Sequence, residues 1–451
     1  MVLLALLLLS LNEEESGVPR VPPLPPALNR RRFLATAAGG LLAPAVAGCG
    51  SLTGGEEPDG LVLHSQLGGS TPGAPAFAEA VATFRKRNPG TPVKVLSNAD
   101  DLQQVYETSK LAGKEADIVL VNLYDKSLAW TEVGATIPVN AQMKRWGLRE
   151  RVLEGPLREW TDGEGRLRGF PYLRTNWPVA YNTRLLERAG VEGVPTTVDA
   201  LLTAAKKLRR KGITPVTIGG NDWSGQKLLL QVMQSYMRAG EAQQVMRTGD
   251  FSGSRGARRG IELFVELRKG GVFADSAQGL TSDLMTTQIS TEKAAIASML
   301  SSAMGKVPDS TAGHITVGGW PIPDDAVYDK PTVMRANASL GMWVSPNGEQ
   351  KIDRVERFIR FMYSEETVSR FVRGGRDMAL RTDRFSTGYP LVAEGQKLTD
   401  DEVSECVTPD IYVPAAATQP LIQATGIAFS PGSDARKVRG ALERAYRSAG
   451  A

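Results

Sequence analysis

The chain has 451 residues, enough for two or three ordinary domains, and its 42% apolar and 23% charged content is that of a folded globular protein. Its 53 basic and 49 acidic residues nearly balance, and no basic stripe with interleaved aromatic residues argues for nucleic-acid binding. Two cysteines exclude a disulfide framework. His64 and His314 are the only histidines, so few residues could form a zinc site or a Ser-His-Asp triad. We predict no catalytic residue, no metal and no cofactor.

Residues 1–48 are predicted to be a signal region. Met1 to Ser10 is apolar but too short to span a bilayer, and we expect translation to begin downstream, so that residues 1 to about 28 are not made. Arg30-Arg31-Arg32-Phe33-Leu34 matches the twin-arginine export pattern. Val46-Ala47-Gly48-Cys49 resembles a lipobox, which predicts that Cys49 is diacylated and becomes the first mature residue. Residues 49–60 then form a lipidated, flexible tether.

Strands and helices alternate after the tether. Phe77, Ala80, Val81 and Phe84 recur at the spacing of one helix face, and Asn88-Pro89-Gly90 ends that helix. This alternation predicts parallel sheets with crossover connections. The other predicted elements of this half are strands Leu61–Ser65, Val93–Leu96 and Ala116–Val121 and a helix from Leu102 to Leu111.

Ligands of parallel sheets bind beyond the carboxyl ends of the strands. That rule points to the loops Gly68 to Thr71, Asn98 to Asp100 and Asn122 to Asp125. The first loop contains Ser70, and its glycines can expose backbone N–H groups, although a plain turn explains them too.

The stretch Arg168-Gly169-Phe170-Pro171-Tyr172, continued by Asn176-Trp177, is predicted to be an extended crossing between two halves of the molecule. Gly169 permits unusual dihedral angles, and Pro171 holds the residue before it extended. A strand from Val179 to Asn182 and a helix from Arg184 to Ala189 follow. The spacing of Thr196 and Asp199 predicts a capping box for a long helix that runs to Lys211.

Two later segments offer polar and aromatic groups at predicted loops. A strand from Ile213 to Ile218 leads into Gly219-Gly220-Asn221-Asp222-Trp223-Ser224, which either contacts a ligand or packs its tryptophan under a loop. A helix is predicted from Gln226 to Arg238. In Gly374-Gly375-Arg376-Asp377-Met378, the two charged residues either pair across a hinge or bind ligand.

The ordered series of crossing, short helix, Pro-Thr-Thr cap and long helix resembles the family 1 extracellular solute-binding proteins, the sugar receptors of ABC importers. The resemblance extends from about Leu61 to about Arg447. It implies an α/β, two-lobed fold like that of periplasmic binding proteins, with chain crossings that form a hinge. Lobe one would comprise 61–176 plus 341–375, and lobe two 177–340 plus 376–447. The chain departs from the family pattern at Ser301-Ser302, where a Gly-Ser-Trp strand exit is usual.

The resemblance also implies a binding site at the strand exits and crossings. In the family, the residues after the Asp-Ile-Val strand contact ligand, and Asn122, Tyr124 and Asp125 hold those positions here. Carboxylates, amides and guanidinium groups would pair with hydroxyls, and aromatic rings would cover C–H faces. The full set of candidate ligand-binding residues is Ser70, Asn122, Tyr124, Asp125, Tyr172, Trp177, Asn221, Asp222, Trp223, Ser302, Trp343 and Arg376.

The function that the resemblance implies is capture of a carbohydrate, whether a sugar, an oligosaccharide or a polyol, by hinge closure and its delivery to the transmembrane subunits of an ABC permease. The protein would be a monomer held by Cys49 on the extracytoplasmic face of the cell membrane. The alternative is an exported carbohydrate-active enzyme or a sugar sensor without a transport role. Binding without turnover would separate the receptor from the enzyme.

Overall fold

The computed structural model describes residues 60–69, 71, 73–97, 102–123, 125–382 and 384–450, apart from the side chains of residues 125, 126, 337 and 338. The predicted export signal and the lipidation of Cys49 lie outside these residues. The described residues belong to one compact unit, Glu57–Ala451. None of the helices that they form has the length and hydropathy that a membrane span needs.

The strands of the described residues form two sheets. They are β1 Leu61–Ser65, β2 Val93–Ser97, β3 Ile118–Asn122, β4 Phe170–Trp177, β5 Val179–Asn182, β6 Thr214–Thr217, β7 Ala294–Ser298, β8 Ile315–Gly318, β9 Thr332–Val344 and β10 Ser404–Cys406.

The first sheet has the order β10-β9-β3-β1-β2, and β4 also pairs with β9. The second sheet has the order β6-β7-β5-β8. The predicted parallel pairing is confirmed for β1 with β2 and β3 and for β6 with β7. It is wrong for β9 and β5, which run antiparallel to β3 and to β7. Both strands belong to crossings of the molecule, since β5 directly follows the crossing strand β4 and β9 crosses along its own length.

Helices cover both sheets. They are α1 Ala74–Arg87, α2 Leu102–Leu111, α3 Asp125–Leu128, α4 Asn140–Arg145, α5 Glu154–Trp160, α6 Thr183–Arg188, α7 Val198–Arg210, α8 Trp223–Met233, α9 Ala239–Thr248, α10 Arg255–Lys269, α11 Ser282–Ser290, α12 Ser301–Met304, α13 Asp309–Ala312, α14 Pro346–Gln350, α15 Ile352–Met362, α16 Glu365–Arg373, α17 Pro390–Lys397, α18 Ala415–Phe429 and α19 Ala435–Ser448. The expected α/β class is confirmed.

Two separate clusters of buried apolar residues form the core. One draws its residues from 61–173 and 340–380, and the other from 177–336 and 391–446. The chain therefore passes between the clusters within β4, within β9, and between Leu380 and Leu391. The lobe boundaries given above remain a prediction.

Gly169 is required for space rather than for its dihedral angles. Its φ is not among the positive values found at other glycines. A Cβ at this position would lie 2.7 Å from the Met342 carbonyl oxygen and 2.8 Å from the Trp160 ring. Gly341, which pairs with Pro171 across the sheet, is pressed against the same ring, and a Cβ there would lie 2.7 Å from the Phe170 carbonyl oxygen. The two glycines let β4, β9 and α5 approach closely at the crossing.

Two predicted helix starts need correction. The capping residue of α7 is Thr197, whose hydroxyl accepts a hydrogen bond from the Ala200 N–H at 3.2 Å. Thr196 is not the cap. Its carbonyl accepts a hydrogen bond from the Ile322 N–H, which holds Thr196 in the segment before the helix. Helix α8 begins at Trp223 rather than Gln226, because Asp222 caps it.

Candidate binding site

A cavity of about 590 Å³ lies between the two hydrophobic clusters. Leu67, Leu123 and Leu340 of one cluster line it, together with Trp177 and Val413 of the other. Its volume lies within the range usual for small-molecule sites.

The carboxyl ends of two parallel strands form one wall. Gln66 follows β1 directly, and its side-chain oxygen accepts a hydrogen bond from the backbone N–H of Asn122, the last residue of β3, at 3.1 Å. Both residues line the cavity. Binding beyond the carboxyl ends of strands was predicted, and Asn122 lies where that rule places it.

The start of α8 forms the opposite wall. The Asp222 carboxylate accepts hydrogen bonds from the Ser224 N–H at 2.9 Å, the Ser224 hydroxyl at 2.6 Å and the Ser282 N–H at 2.6 Å. This cap fixes the first turn of the helix. Trp223, Gln226 and Lys227, which share one face at i, i+3 and i+4, line the cavity.

Lys227 places a positive charge in this wall, and the Asp410 carboxylate neutralises it. Its ammonium group lies 2.5 Å from the Asp410 carboxylate and 4.8 Å above the ring of Trp177. Its side chain is 7% exposed, so the pair is largely withdrawn from water. Lys227 therefore covers one face of Trp177. Among the described residues, no cation lies over the ring of Trp223, the other tryptophan that lines the cavity.

Arg376 enters the cavity from the turn after α16. Gly375 has a φ of 75°, and the Arg376 N–H bonds to the Phe371 carbonyl at 3.0 Å, a helix ending that turns the chain back. Of the two alternatives left open for these charged residues, pairing with each other does not occur, because Asp377 lies 3.0 Å from Arg174. Burial lowers the pKa of the Arg376 guanidinium to about 10, although the Asp377 carboxylate acts in the opposite direction.

The structure brings Asn122, Trp177, Trp223 and Arg376 together at this cavity. Asp222 supports it as a helix cap, Asn221 is exposed beside that cap, and Ser302 lies on α12. Asn221, Asp222 and Ser302 are not among its lining residues. Ser70 and Tyr124 lie outside the described residues, as does the side chain of Asp125.

Tyr172 and Trp343 are corrected from candidate platforms to core residues. Both side chains are fully buried. The Tyr172 hydroxyl donates to the Met362 carbonyl at 3.1 Å, and the Trp343 ring lies 5.5 Å from that of Trp130 and 4.7 Å from that of Trp160. Residues next to a crossing alternate in direction along the strand, and these two point into the sheet-helix interface.

Sequence reasoning did not find several lining residues. Gln66 could have been found, because it directly follows a predicted strand. Lys227 could have been found from its helical spacing to Trp223. Gln103, Glu159, Thr408, Asp410 and Gln419 carry no motif, and long-range packing brings them to the cavity. In the described residues, no group of three or more His, Cys, Asp or Glu side chains is arranged to hold a metal ion.

Asp222→Ala is expected to lower the free energy of unfolding by about 2 kcal/mol, since it removes a helix cap and the bond to Ser282. Ligand affinity should fall as well, because the cap orients Trp223. The control is Asp434→Ala, which removes the exposed cap of α19, where the carboxylate accepts from the Lys437 N–H at 2.8 Å. Chemical denaturation and ligand titration of both variants provide the measurement. Equal effects of the two variants on affinity would contradict a positioning role for Asp222.

Comparison with known proteins agrees with this architecture. The sequence profile of the bacterial extracellular solute-binding proteins matches residues 68–368. A crystal structure described as a probable secreted solute-binding lipoprotein from Streptomyces coelicolor is 59% identical, with 87% of this chain and 100% of that chain covered and a TM-score of 0.80. No curated protein sequence matches the chain.

Two more distant structures share the fold alone. A chitin oligosaccharide binding protein is 20% identical, with 86% and 98% of the two chains covered and a TM-score of 0.74. Maltose-bound MalE3 of T. maritima is 16% identical, with 86% and 99% covered and a TM-score of 0.67.

Proposed function

This chain belongs to the bacterial extracellular solute-binding protein family, and from that premise we propose that it captures a carbohydrate outside the cell and delivers it to an ABC permease. The family has the two-lobed fold expected from the sequence, and its members are receptors that bind small solutes, not enzymes. The alternative of an exported carbohydrate-active enzyme is therefore not retained.

The observation that carries the carbohydrate proposal is the composition of the cavity between the two clusters. Trp177 and Trp223 supply apolar faces beside amides such as Gln66 and Asn122. A sugar presents hydroxyl groups at its rim and C–H groups on its faces, so it needs both kinds of partner. The solved relatives described as binding chitin oligosaccharide and maltose share the fold, which supports the same ligand class here.

Hinge closure is the proposed mechanism. The chain passes between the clusters at β4, at β9 and after Leu380, and the cavity lies beside these connections. Ligand would first contact one wall and then draw the second wall onto it, which shields the ligand from water. The gain in affinity equals the extra stabilisation of the closed state.

Titration calorimetry of the purified mature protein against a panel of neutral and acidic saccharides and polyols tests the carbohydrate proposal. We expect one class of saccharide to bind at one site per chain and to be recovered unchanged. Failure of every saccharide and polyol to bind would contradict the proposal.

Membrane anchoring through Cys49 is also proposed, with the protein acting as a monomer on the extracytoplasmic face. The twin-arginine pattern and lipobox in the sequence support it, and the relative from Streptomyces coelicolor is described as a secreted lipoprotein. Cys49→Ser is expected to move the protein from the membrane fraction to the medium, because a lipid anchor is lost. Immunoblots of the two fractions measure this, with Cys406→Ser as the control. Retention of Cys49→Ser in the membrane would contradict the anchor.

A further inference from the structure

Arg376 is a buried cation whose Nε has no hydrogen-bond partner among the described residues. The residue is 7% exposed and lines the cavity, and its side chain lies against the turn at Gly73, where α1 begins. The one carboxylate next to it in the chain, Asp377, is held by Arg174. A charge taken out of water is costly unless something pairs with it.

We infer that the captured solute carries an anionic group that pairs with Arg376, so that the ligand is an acidic saccharide. The inference rests on the proposed function and adds the chemical class of the sugar. A carboxylate, as in a uronic acid, fits the planar fork of a guanidinium group in two parallel hydrogen bonds, and a phosphate or sulfate ester offers the same acceptor oxygens.

The unpartnered polar groups at the cavity support an acceptor-rich ligand. In the described part of the lining, the residues with a buried side-chain donor that lacks a partner are Arg376, Trp177 and Gln103, through Nε, Nε1 and Nε2 respectively. Indole and guanidinium N–H groups can only donate. A neutral hydroxyl brings a proton that needs an acceptor of its own, whereas a carboxylate only accepts. A ligand with an anionic group therefore satisfies this set of donors more completely.

Among the described residues that line the cavity, Arg376 is the cation without a carboxylate partner. Lys227 is already paired with Asp410. Glu159 lies at the border with an adjoining cavity of about 780 Å³.

Arginines and carboxylates line that adjoining cavity together. Arg158, Arg168, Arg247 and Arg335 line its described part, against Glu159 and Glu405. Glu132 and Asp400 partly neutralise Arg168 and Arg335, while Arg247 lies 4.9 Å above the Tyr412 ring. With Glu132 and Asp400 counted, the four arginines face four carboxylates, so this group has no net charge and Arg376 remains the cation that would pair with an anionic ligand.

The test compares each acid with a neutral compound of nearly equal size. D-Galacturonate, D-glucuronate and digalacturonate are titrated into the mature protein beside their methyl esters, the parent neutral sugars and glucose 6-phosphate. We expect at least one acid to bind ten times more tightly than its ester, the ratio that a charge-assisted hydrogen bond provides. Preference for glucose 6-phosphate over glucose, without binding of the uronates, would support the ester form of the anion.

Arg376→Gln should weaken binding of the preferred acid at least tenfold and change binding of its ester less than twofold. Arg384→Gln is the matched control, since that arginine is 81% exposed and pairs with Glu365 on the surface. Thermal unfolding confirms that each variant is folded, and the acid-to-ester ratio of the unaltered protein provides a test that needs no variant.

Three results would overturn the inference. If neutral saccharides bind as tightly as the acids, the anionic class is wrong. If Arg376→Gln leaves the acid-to-ester ratio unchanged, Arg376 is not the group that pairs with the anion. In both cases the carbohydrate proposal stands. If neither acidic nor neutral saccharides bind, the inference and the proposed function both fail.

Discussion

Replacing Trp223 by alanine is expected to weaken ligand binding at least tenfold, or by about 1.4 kcal/mol, while the fold stays intact. Trp223 is half-buried at the first position of α8 and lines the cavity. An indole covers the C–H face of a sugar over a large area, and alanine leaves that face in water. Titration calorimetry with the best ligand of the panel measures the change.

Two controls separate contact with ligand from damage to the fold. Trp223→Phe keeps an aromatic face and should lose less affinity than the alanine variant. Tyr236→Ala removes a partly buried ring that lies under Arg259, away from the cavity. The ligand affinity of the Tyr236→Ala variant should stay within twofold of that of the unaltered protein. Unchanged affinity in Trp223→Ala would remove this residue from the site.

Gly341→Ala is expected to lower the free energy of unfolding by about 3 kcal/mol, the upper part of the usual range for overpacking. The new methyl group would overlap the Trp160 ring and lie 2.7 Å from the Phe170 carbonyl oxygen. Neither neighbour can move freely, because Trp160 is fully buried and packs on Trp343, and Phe170 lies within β4. Denaturant unfolding gives the change.

Gly240→Ala provides the matched control. That glycine lies in α9, and a Cβ there meets nothing within 4 Å. Alanine should stabilise it by about 0.5–1 kcal/mol, because the unfolded chain loses freedom. Equal stability of the two variants would contradict the close approach of β4, β9 and α5 at the crossing.

Local patterns predicted the elements well where one segment decides its own structure. The strand at Leu61–Ser65 and the helix at Leu102–Leu111 have the predicted bounds. The helical spacing of apolar residues and the helix-ending Asn88 also predicted where α1 ends. The antiparallel pairing of β5 and β9 could not be predicted from local patterns, because it depends on where distant segments cross.

The site was harder to predict than the fold. Trp177, Trp223 and Arg376, which the sequence places at crossings or strand exits, line the cavity, and their contact with ligand stays a prediction. Tyr172 and Trp343 satisfied the same rule, but their direction depends on strand register, which places them in the core. Asp410 could not have been predicted as the partner of Lys227, since 183 residues separate them.

Small-angle X-ray scattering with and without a saturating saccharide measures hinge closure in solution. We expect ligand to lower the radius of gyration and to shorten the largest dimension of the mature protein, and we expect Trp223→Ala to need more ligand for the same change. A saccharide that binds at one site per chain and leaves the scattering curve unchanged would contradict closure over the cavity.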